Sequence, residues 1–161
     1  MRLRRGGPGD VAQIARMLRS TYDRMTFIPR LHTPEEDLAY VTSLFADHEA
    51  WVAADGDDVL GFAILSSDQL LQIHVDPGRQ NQGIGTLLLR RMESIIELEG
   101  ADRVQLDTLS DNVRAVNFYQ HQGYRILVLK REGGTGSDPQ TSVRLEKRLS
   151  PYRGPLNDDE D

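Results

Sequence analysis

The sequence predicts one mixed α/β domain with six or seven mostly antiparallel strands and about four helices, in the order βααβββαβαββ. Segments with apolar residues three and four apart, typical of helices, alternate with short β-branched and aromatic segments, typical of strands. The length of 161 residues fits one domain. No stretch approaches the roughly 18 consecutive apolar residues of a membrane span, so we expect no membrane association.

Each predicted helix has a recognisable start and an apolar face. The first follows Asp10, which we expect to cap it, and the second starts at the capping box Thr33-Pro34-Glu35-Glu36. The third runs from about Gly83 to Glu99, and Ser110 or Asp111 is expected to cap the fourth. The apolar residues at helical spacing are Val11, Ile14, Ala15, Leu18, Tyr22, Met25, Leu38, Val41, Phe45, Ile84, Leu87, Leu88, Met92, Ile95, Ile96, Ala115, Phe118 and Tyr119.

The predicted strands fill the intervals between these helices. The turn Asp55-Gly56-Asp57-Asp58 indicates a hairpin, and residues 131–140 read as a glycine-rich loop before the last strand. The predicted strands are residues 3–4, 51–54, 59–65, 70–75, 104–109, 124–129 and 141–149.

Charge and composition divide the chain into a domain, residues 1–150, and an acidic tail, residues 151–161, which we expect to be flexible. The net charge is −6, of which the tail carries −3, so the domain lacks the basic footprint of a nucleic-acid-binding protein. The absence of cysteine removes disulfides, thiolate metal sites and a cysteine nucleophile, and is compatible with the cytoplasm. The four histidines lack the spacing of metal ligands, so no metal is expected.

The stretch from Leu71 to Thr86 is the most informative part of the sequence. A predicted strand ends at Val75, and a loop containing Gly83 enters a helix. Backbone N–H groups converge at such a helix start, where the helix dipole adds partial positive charge, so the loop suits a phosphate or pyrophosphate. Taken alone, its glycines are equally compatible with a purely structural turn.

Two familiar phosphate-binding motifs do not fit this loop. A P-loop requires Lys followed by Ser or Thr where the chain has Ile84-Gly85. A dinucleotide-binding fingerprint requires a third glycine where the chain has Leu88.

The string Gln80-Asn81-Gln82-Gly83-Ile84-Gly85 resembles the Q/R-x-x-G-x-G/A motif of the GNAT acetyltransferases. A second segment, from Asn112 to Tyr119 with Gly123-Tyr124, resembles the N-x-x-A-x-x-F-Y…G-F/Y segment of the same family. The two segments occur in the family's order, and the resemblance extends from about Trp51 to Arg148. It implies an acetyl-CoA-dependent N-acetyltransferase that transfers the acetyl group directly to an amine.

The resemblance also implies a set of residues that bind the cofactor. The strand at residues 73–75 would pair through its backbone with the pantetheine arm, and the loop would surround the pyrophosphate. The implied cofactor-binding residues are Ile73, His74, Val75, Gln80, Asn81, Gln82, Gly83, Ile84, Gly85, Thr86, Asn112, Asn117 and Tyr119. For Asn112 and Asn117, a helix-start and an exposed helix position are the respective structural alternatives.

In the same way, Tyr119 occupies the position of the family's frequent general acid, which protonates the departing thiolate; a core tyrosine is the alternative. Asp107 aligns with a carboxylate that serves some members as general base. His74 is titratable near neutral pH and lies beside the cofactor strand, and Glu49 lies near a strand start. A chain of water molecules without a dedicated base is a further alternative.

The acceptor side is expected at the first two helices and the loop between them. The residues implied there are Tyr22, Phe27, Pro29, Leu31 and His32. This aromatic and apolar lining does not separate an antibiotic, a polyamine, an amino acid and a protein N-terminus. The resemblance allows a homodimer, and the rival interpretation is a non-catalytic acyl-CoA-binding or regulatory module.

Overall fold

The computed structural model describes residues 1–25, 32–132 and 140–149, with residues 129–132 and 140 described by their backbone alone. The predicted order βααβββαβαββ is confirmed. The helices are α1 (Val11–Asp23), α2 (Pro34–Asp47), α3 (Ile84–Leu98) and α4 (Val113–His121). The strands are β1 (Arg2–Arg5), β2 (Glu49–Asp55), β3 (Asp58–Ser66), β4 (Gln69–Val75), β5 (Arg103–Leu109), β6 (Arg125–Glu132) and β7 (Gln140–Arg148). The acidic tail and part of the predicted glycine-rich loop lie outside the described residues.

The strands form one seven-stranded sheet in the order β1-β2-β3-β4-β5-β7-β6. Every neighbouring pair is antiparallel except β4 and β5, which are parallel. Strand β3 is buried along nearly its whole length because helices cover it on both faces. Among the described residues, no helix is long and apolar enough to cross a membrane.

Two hydrophobic clusters fix the helices to opposite faces of the sheet. On one face, α1 and α2 bury Ile14, Leu18 and Val41 against Phe62 and Ile64 of β3. The other cluster joins α3 and α4 to β5 and β7; its fully buried side chains include Leu88, Leu89, Met92, Ile96, Val104 and Leu145.

The helix starts confirm the cap at Thr33 and the N-cap position of Asp10, and they correct the cap of α4. The Thr33 hydroxyl accepts a hydrogen bond from the Glu36 N–H, as predicted. Asp10 stands at the N-cap position of α1 without a side-chain cap bond, because its carboxylate binds Arg4 and the Gly7 N–H instead. The cap of α4 is Asn112, not Ser110 or Asp111; its side-chain oxygen accepts from the Ala115 N–H.

A β-bulge in β4 opens the sheet between β4 and β5. Ile64 of β3 lies opposite Gln72, but the next residue of β3 lies opposite Leu70, so Leu71 is a surplus residue in β4. Strand β4 pairs with β5 only at the adjacent residues Gln69 and Leu70. Beyond the bulge the two strands separate, and we call the opening between them the β4–β5 gap.

Candidate active site

The backbone of β4 presents hydrogen-bonding groups to the β4–β5 gap. The Asp76 N–H donates to the Leu60 carbonyl at 2.8 Å, and hydrogen-bonded pairs alternate along antiparallel strands. His74 therefore directs its backbone groups to β3, whereas Ile73 and Val75 direct theirs to the gap. Such an edge can pair with an extended chain that contains amides.

The loop from Gln80 to Gly83 has the backbone geometry of an anion site at the start of α3. Asn81 and Gly83 both have left-handed φ angles, 64° and 80°. Gly83 is the N-cap of α3, so the N–H groups of the following turn have no partner within the helix. No atom lies within 4 Å of a Cβ built on Gly83, so conformation rather than space requires glycine there.

Close packing holds the start of α3 against the end of β4. A Cβ on Gly61 would lie 2.8 Å from the His74 carbonyl oxygen and 3.1 and 3.2 Å from Leu88 and Ile84. Gly61 therefore lets β3, β4 and α3 approach one another. Sequence reasoning missed this residue, since a single glycine inside a strand carries only a weak signal of close backbone approach.

Helix α4 lies beside the start of α3. A Cβ on Gly85 would meet the Phe118 ring at 3.5 Å and Val75 at 3.6 Å. The Gln122 amide donates to the Thr86 hydroxyl at 3.2 Å. These contacts place the predicted loop and the predicted acid-bearing helix on one side of the sheet; Asn117 is exposed on α4.

Tyr119 is buried between aromatic rings. Its ring meets those of Phe118 and Tyr124 edge-on, at centroid distances of 5.3 and 5.7 Å. Burial raises the pKa of the Tyr119 phenol, so the hydroxyl keeps its proton at neutral pH. Its environment suits a proton donor and is equally that of a core side chain.

His74 lies on the opposite side of the sheet, within an aromatic and polar group on the α1 and α2 face. The imidazole stacks on Phe62 at 5.4 Å and meets Tyr22 edge-on at 6.3 Å. Its Nε2 lies 2.6 Å from the Gln72 side-chain oxygen, and the Gln72 amide nitrogen donates to the Tyr40 hydroxyl at 3.1 Å. Burial lowers the pKa of His74 to about 4, so the ring is neutral at pH 7.

The lowered pKa of His74 makes folding stability depend on pH. Below about pH 6.5 the unfolded chain protonates this histidine while the folded protein does not, so stability falls as pH drops from about 6.5 to 4. We expect the free energy of unfolding to fall by up to about 2 kcal/mol more in the wild type than in His74→Gln between pH 7 and pH 5. Urea titrations of both proteins measure this difference. Equal losses would mean that His74 does not resist protonation.

Asp107 and Arg144 form an ion pair at the wall of the gap. The Arg144 Nε and a terminal nitrogen donate to the two Asp107 oxygens at 2.8 and 3.1 Å. This hydrogen bonding raises the pKa of Arg144, which remains charged. Asp107 is the first residue of β5 beyond its last pair with β4. The sequence did not reveal Arg144, because 37 residues separate the two partners.

The remaining predicted residues lie apart from this group or outside the described residues. The His32 ring pairs with Glu36 at 3.1 Å on the exposed start of α2. Glu49 accepts hydrogen bonds from Arg5 and Trp51 on β2, two strands from β4. Phe27, Pro29 and Leu31 lie outside the described residues. Within the described ranges, no three His, Asp or Glu residues are grouped to hold a metal ion.

Comparison with known proteins agrees with the geometry. The model of the Acetyltransferase (GNAT) family matches residues 14–124. The chain is therefore a member of the GNAT family of acetyltransferases, as the sequence motifs indicated.

Two curated relatives and one solved structure illustrate the similarity. The uncharacterized protein YxbD of Bacillus subtilis is 28% identical over 123 residues, which cover 63% of this chain and 76% of YxbD. The peptidyl-lysine N-acetyltransferase YjaB of Escherichia coli is 27% identical over 117 residues, which cover 72% of this chain and 74% of YjaB. The structure of yncA from Salmonella typhimurium with its cofactor acetyl-CoA has a TM-score of 0.73 and 16% identity, over 96% of this chain and 97% of yncA.

Proposed function

We propose that this protein is an N-acetyltransferase that moves the acetyl group of acetyl-CoA directly to an amine in a ternary complex. The observation that carries the proposal is the β4–β5 gap. The edge of β4 that faces this gap is not paired with β5, and Gly83, with its left-handed backbone, begins α3 beside it. Family membership and the acetyl-CoA bound to yncA support acetyl-CoA as the donor.

The donor would bind from the side of α3 and α4. The pantetheine arm would pair with the backbone of Ile73 and Val75, and the N–H groups of residues 83–86 would surround the pyrophosphate. Asn81, Gln80 and Gln82 would border the same loop. A backbone N–H at Val75 would polarise the thioester carbonyl.

The acceptor would approach from the side of α1 and α2, where Tyr22 and His74 meet. Its nitrogen attacks the thioester carbonyl carbon, and the C–S bond breaks as the C–N bond forms. The Tyr119 phenol gives its proton to the departing sulfur, and water then reprotonates the phenolate.

The amine must also lose a proton, and two side chains at the gap are candidates to accept it. His74 is neutral at pH 7 and so has a free lone pair, but its lowered pKa makes it a weak base. Both oxygens of the Asp107 carboxylate already accept hydrogen bonds from Arg144. Imidazole and carboxylate are both weaker bases than an alkylamine, so we propose that a strongly basic acceptor releases its proton along a chain of water molecules to bulk solvent.

Acetyl-CoA should stabilise the folded protein by about 2.7 kcal/mol at a hundredfold excess over its dissociation constant. ATP and NAD should not match this effect, because the loop lacks both of their motifs. A thermal-shift series with the three ligands measures the difference. No shift with acetyl-CoA at millimolar concentration would contradict the proposed donor site.

Thiol release from acetyl-CoA in the presence of an amine panel tests the reaction itself. Release that depends on both the protein and an amine supports the enzyme. Binding of acetyl-CoA without release onto any amine supports the non-catalytic acyl-CoA-binding module instead.

A further inference from the structure

The hydrogen bonds around His74 specify which of its two ring nitrogens carries the proton. The His74 Nε2 lies 2.6 Å from the side-chain oxygen of Gln72. An amide oxygen has no hydrogen to donate, so Nε2 must be the donor of this bond. The ring is neutral at pH 7 and holds only that one ring proton, so its other nitrogen, Nδ1, is left with a lone pair.

The Tyr40 hydroxyl holds the Gln72 amide in the orientation that this proton requires. The amide nitrogen of Gln72 donates to the Tyr40 oxygen at 3.1 Å, which leaves the amide oxygen for His74. With the amide turned over, two nitrogens would lie 2.6 Å apart, and a contact this short fits oxygen, the smaller atom, better than nitrogen. Tyr40 is exposed, so its own hydroxyl proton can be donated to solvent.

The lone pair on Nδ1 of His74 is open to a donor from outside the protein. The hydrogen bonds of the described residues leave Nδ1 without a partner. The polar side-chain atoms buried without a partner in that part of the chain are the hydroxyls of Tyr124 and Ser142, so Nδ1 is not sealed in the core. The rings beside the imidazole, Phe62 and Tyr22, are uncharged at neutral pH, since burial raises the pKa of Tyr22 to about 12.

We propose that Gln72 is a positioning residue, which keeps the His74 proton on Nε2 so that Nδ1 accepts a hydrogen bond from an N–H group of the acceptor amine. This bond orients the amine and takes no proton from it. The strand neighbours Ile73 and Val75 carry the edge proposed for the pantetheine arm, so the two substrates would meet at this part of β4. The inference rests on the proposed acetyltransferase function and names the atom that receives its acceptor.

The opposite tautomer would disfavour the acceptor. With the proton on Nδ1, the N–H of the imidazole and the N–H of the amine would face each other, and neither would have an acceptor. An unsatisfied donor costs more than an absent hydrogen bond gains. The identity of the side chain at position 72 should therefore control acceptor binding through the tautomer of His74.

Nitrogen-15 NMR of the histidine side chains reads the tautomer directly at pH 8, where ordinary histidines are neutral as well. The variant His74→Gln identifies the His74 signals among those of the four histidines. In the wild type we expect Nδ1 to resonate as a nitrogen without a proton and Nε2 as a nitrogen with one. Gln72→Glu, which only accepts at this pH, should keep the pattern; Gln72→Lys, which only donates, should reverse it; and Gln72→Met should leave both tautomers populated.

Steady-state kinetics connect the tautomer to the reaction, with the amine that gives the fastest thiol release as acceptor. Gln72→Met keeps the length of the side chain without its polar groups, and should lower kcat/KM for the amine by about 3- to 10-fold, the range for one neutral hydrogen bond. Gln72→Lys should lower it by at least about 10-fold, because a donor then faces the amine. The affinity of Gln72→Met for acetyl-CoA should equal that of the wild type.

Gln69→Met is the matched control. Gln69 is a half-buried glutamine of the same strand, on the other side of the bulge, and its side chain makes no hydrogen bond within the described ranges. Neither the His74 tautomer nor kcat/KM should change in this variant. Thermal midpoints of all variants establish that each is folded.

Three results would overturn this inference alone. One is a wild-type His74 with its proton on Nδ1 or with both tautomers equally populated, a measurement that needs neither a variant nor an acceptor. Another is an unchanged tautomer in folded Gln72→Met and Gln72→Lys proteins. The third is a normal kcat/KM in a folded Gln72→Met protein whose tautomer has changed. If the wild type binds acetyl-CoA but acetylates no amine of the panel, the proposed function itself fails, and the inference fails with it.

Discussion

Tyr119→Phe should lower turnover by about 10²–10³ while acetyl-CoA affinity changes little, because the substitution removes the proton donor and keeps the ring. The ring packs edge-on against Phe118 and Tyr124, and phenylalanine preserves both contacts. Turnover and thermal midpoint measured on one preparation separate catalysis from folding. A stable Tyr119→Phe protein with normal turnover would rule out the acid role.

Tyr124→Phe supplies the matched control for this experiment. Tyr124 is a second buried tyrosine in the same aromatic group, and its hydroxyl is buried without a hydrogen-bond partner in the described part of the chain. Removing such a hydroxyl costs the fold little. Turnover should therefore stay near that of the wild type, and an equal loss in both variants would point to general disturbance of the aromatic packing.

Gly83→Asp should abolish the stabilisation by acetyl-CoA. The substitution places a carboxylate at the helix start that we propose binds the pyrophosphate, so like charges repel in addition to the added bulk. Gly83→Asn, which has nearly the same shape without the charge, should weaken binding less. Calorimetric titration with acetyl-CoA measures the affinity of the wild type and of both variants. Unchanged affinity in a folded Gly83→Asp protein would contradict the placement of the pyrophosphate.

Gly100→Asp controls for backbone strain in this series. Gly100 follows the far end of α3, has a left-handed φ of 94°, and has open space where a Cβ would stand, as Gly83 does. Both substitutions therefore carry a similar conformational cost, of about 1 kcal/mol. Only Gly83→Asp should lose affinity for acetyl-CoA. An equal loss of affinity in Gly100→Asp would mean that backbone strain, and not the charge at the helix start, weakens binding.

The order of elements could be predicted from the sequence because each segment has its own period and boundary residues. Thr33-Pro34 and Gly83 act through neighbours within a few positions, so local rules describe them well. Asp10 and Asn112 show the limit of those rules. The Asp10 carboxylate binds Arg4 of β1 and so makes no cap bond to α1. Asn112 caps α4 although Ser110 and Asp111 are equally suitable residue types.

The site needed information that local patterns do not contain. The sequence indicated the loop that we propose binds phosphate, since its glycines and its position between strand and helix are local. Arg144 faces Asp107 only because β7 inserts between β5 and β6. The Gln72 side chain, which hydrogen-bonds both His74 and the Tyr40 hydroxyl, likewise joins β4 to α2. Such partners depend on strand order and register, which composition does not encode.

The bulge at Leu71 means that the β4–β5 gap depends on the number of residues in β4 rather than on which residues they are. One additional residue in β4 separates two strands that would otherwise continue side by side, and it also sets which side chains follow on each face. A deletion of that single apolar position would remove the bulge and restore regular alternation along β4, with Leu70 opposite Leu65 and Gln72 opposite Ile64, while Gln72 and His74 keep their present face. The β4–β5 gap therefore depends on the number of residues in β4, and a one-residue deletion would narrow it while every residue proposed to contact a substrate stays in the chain.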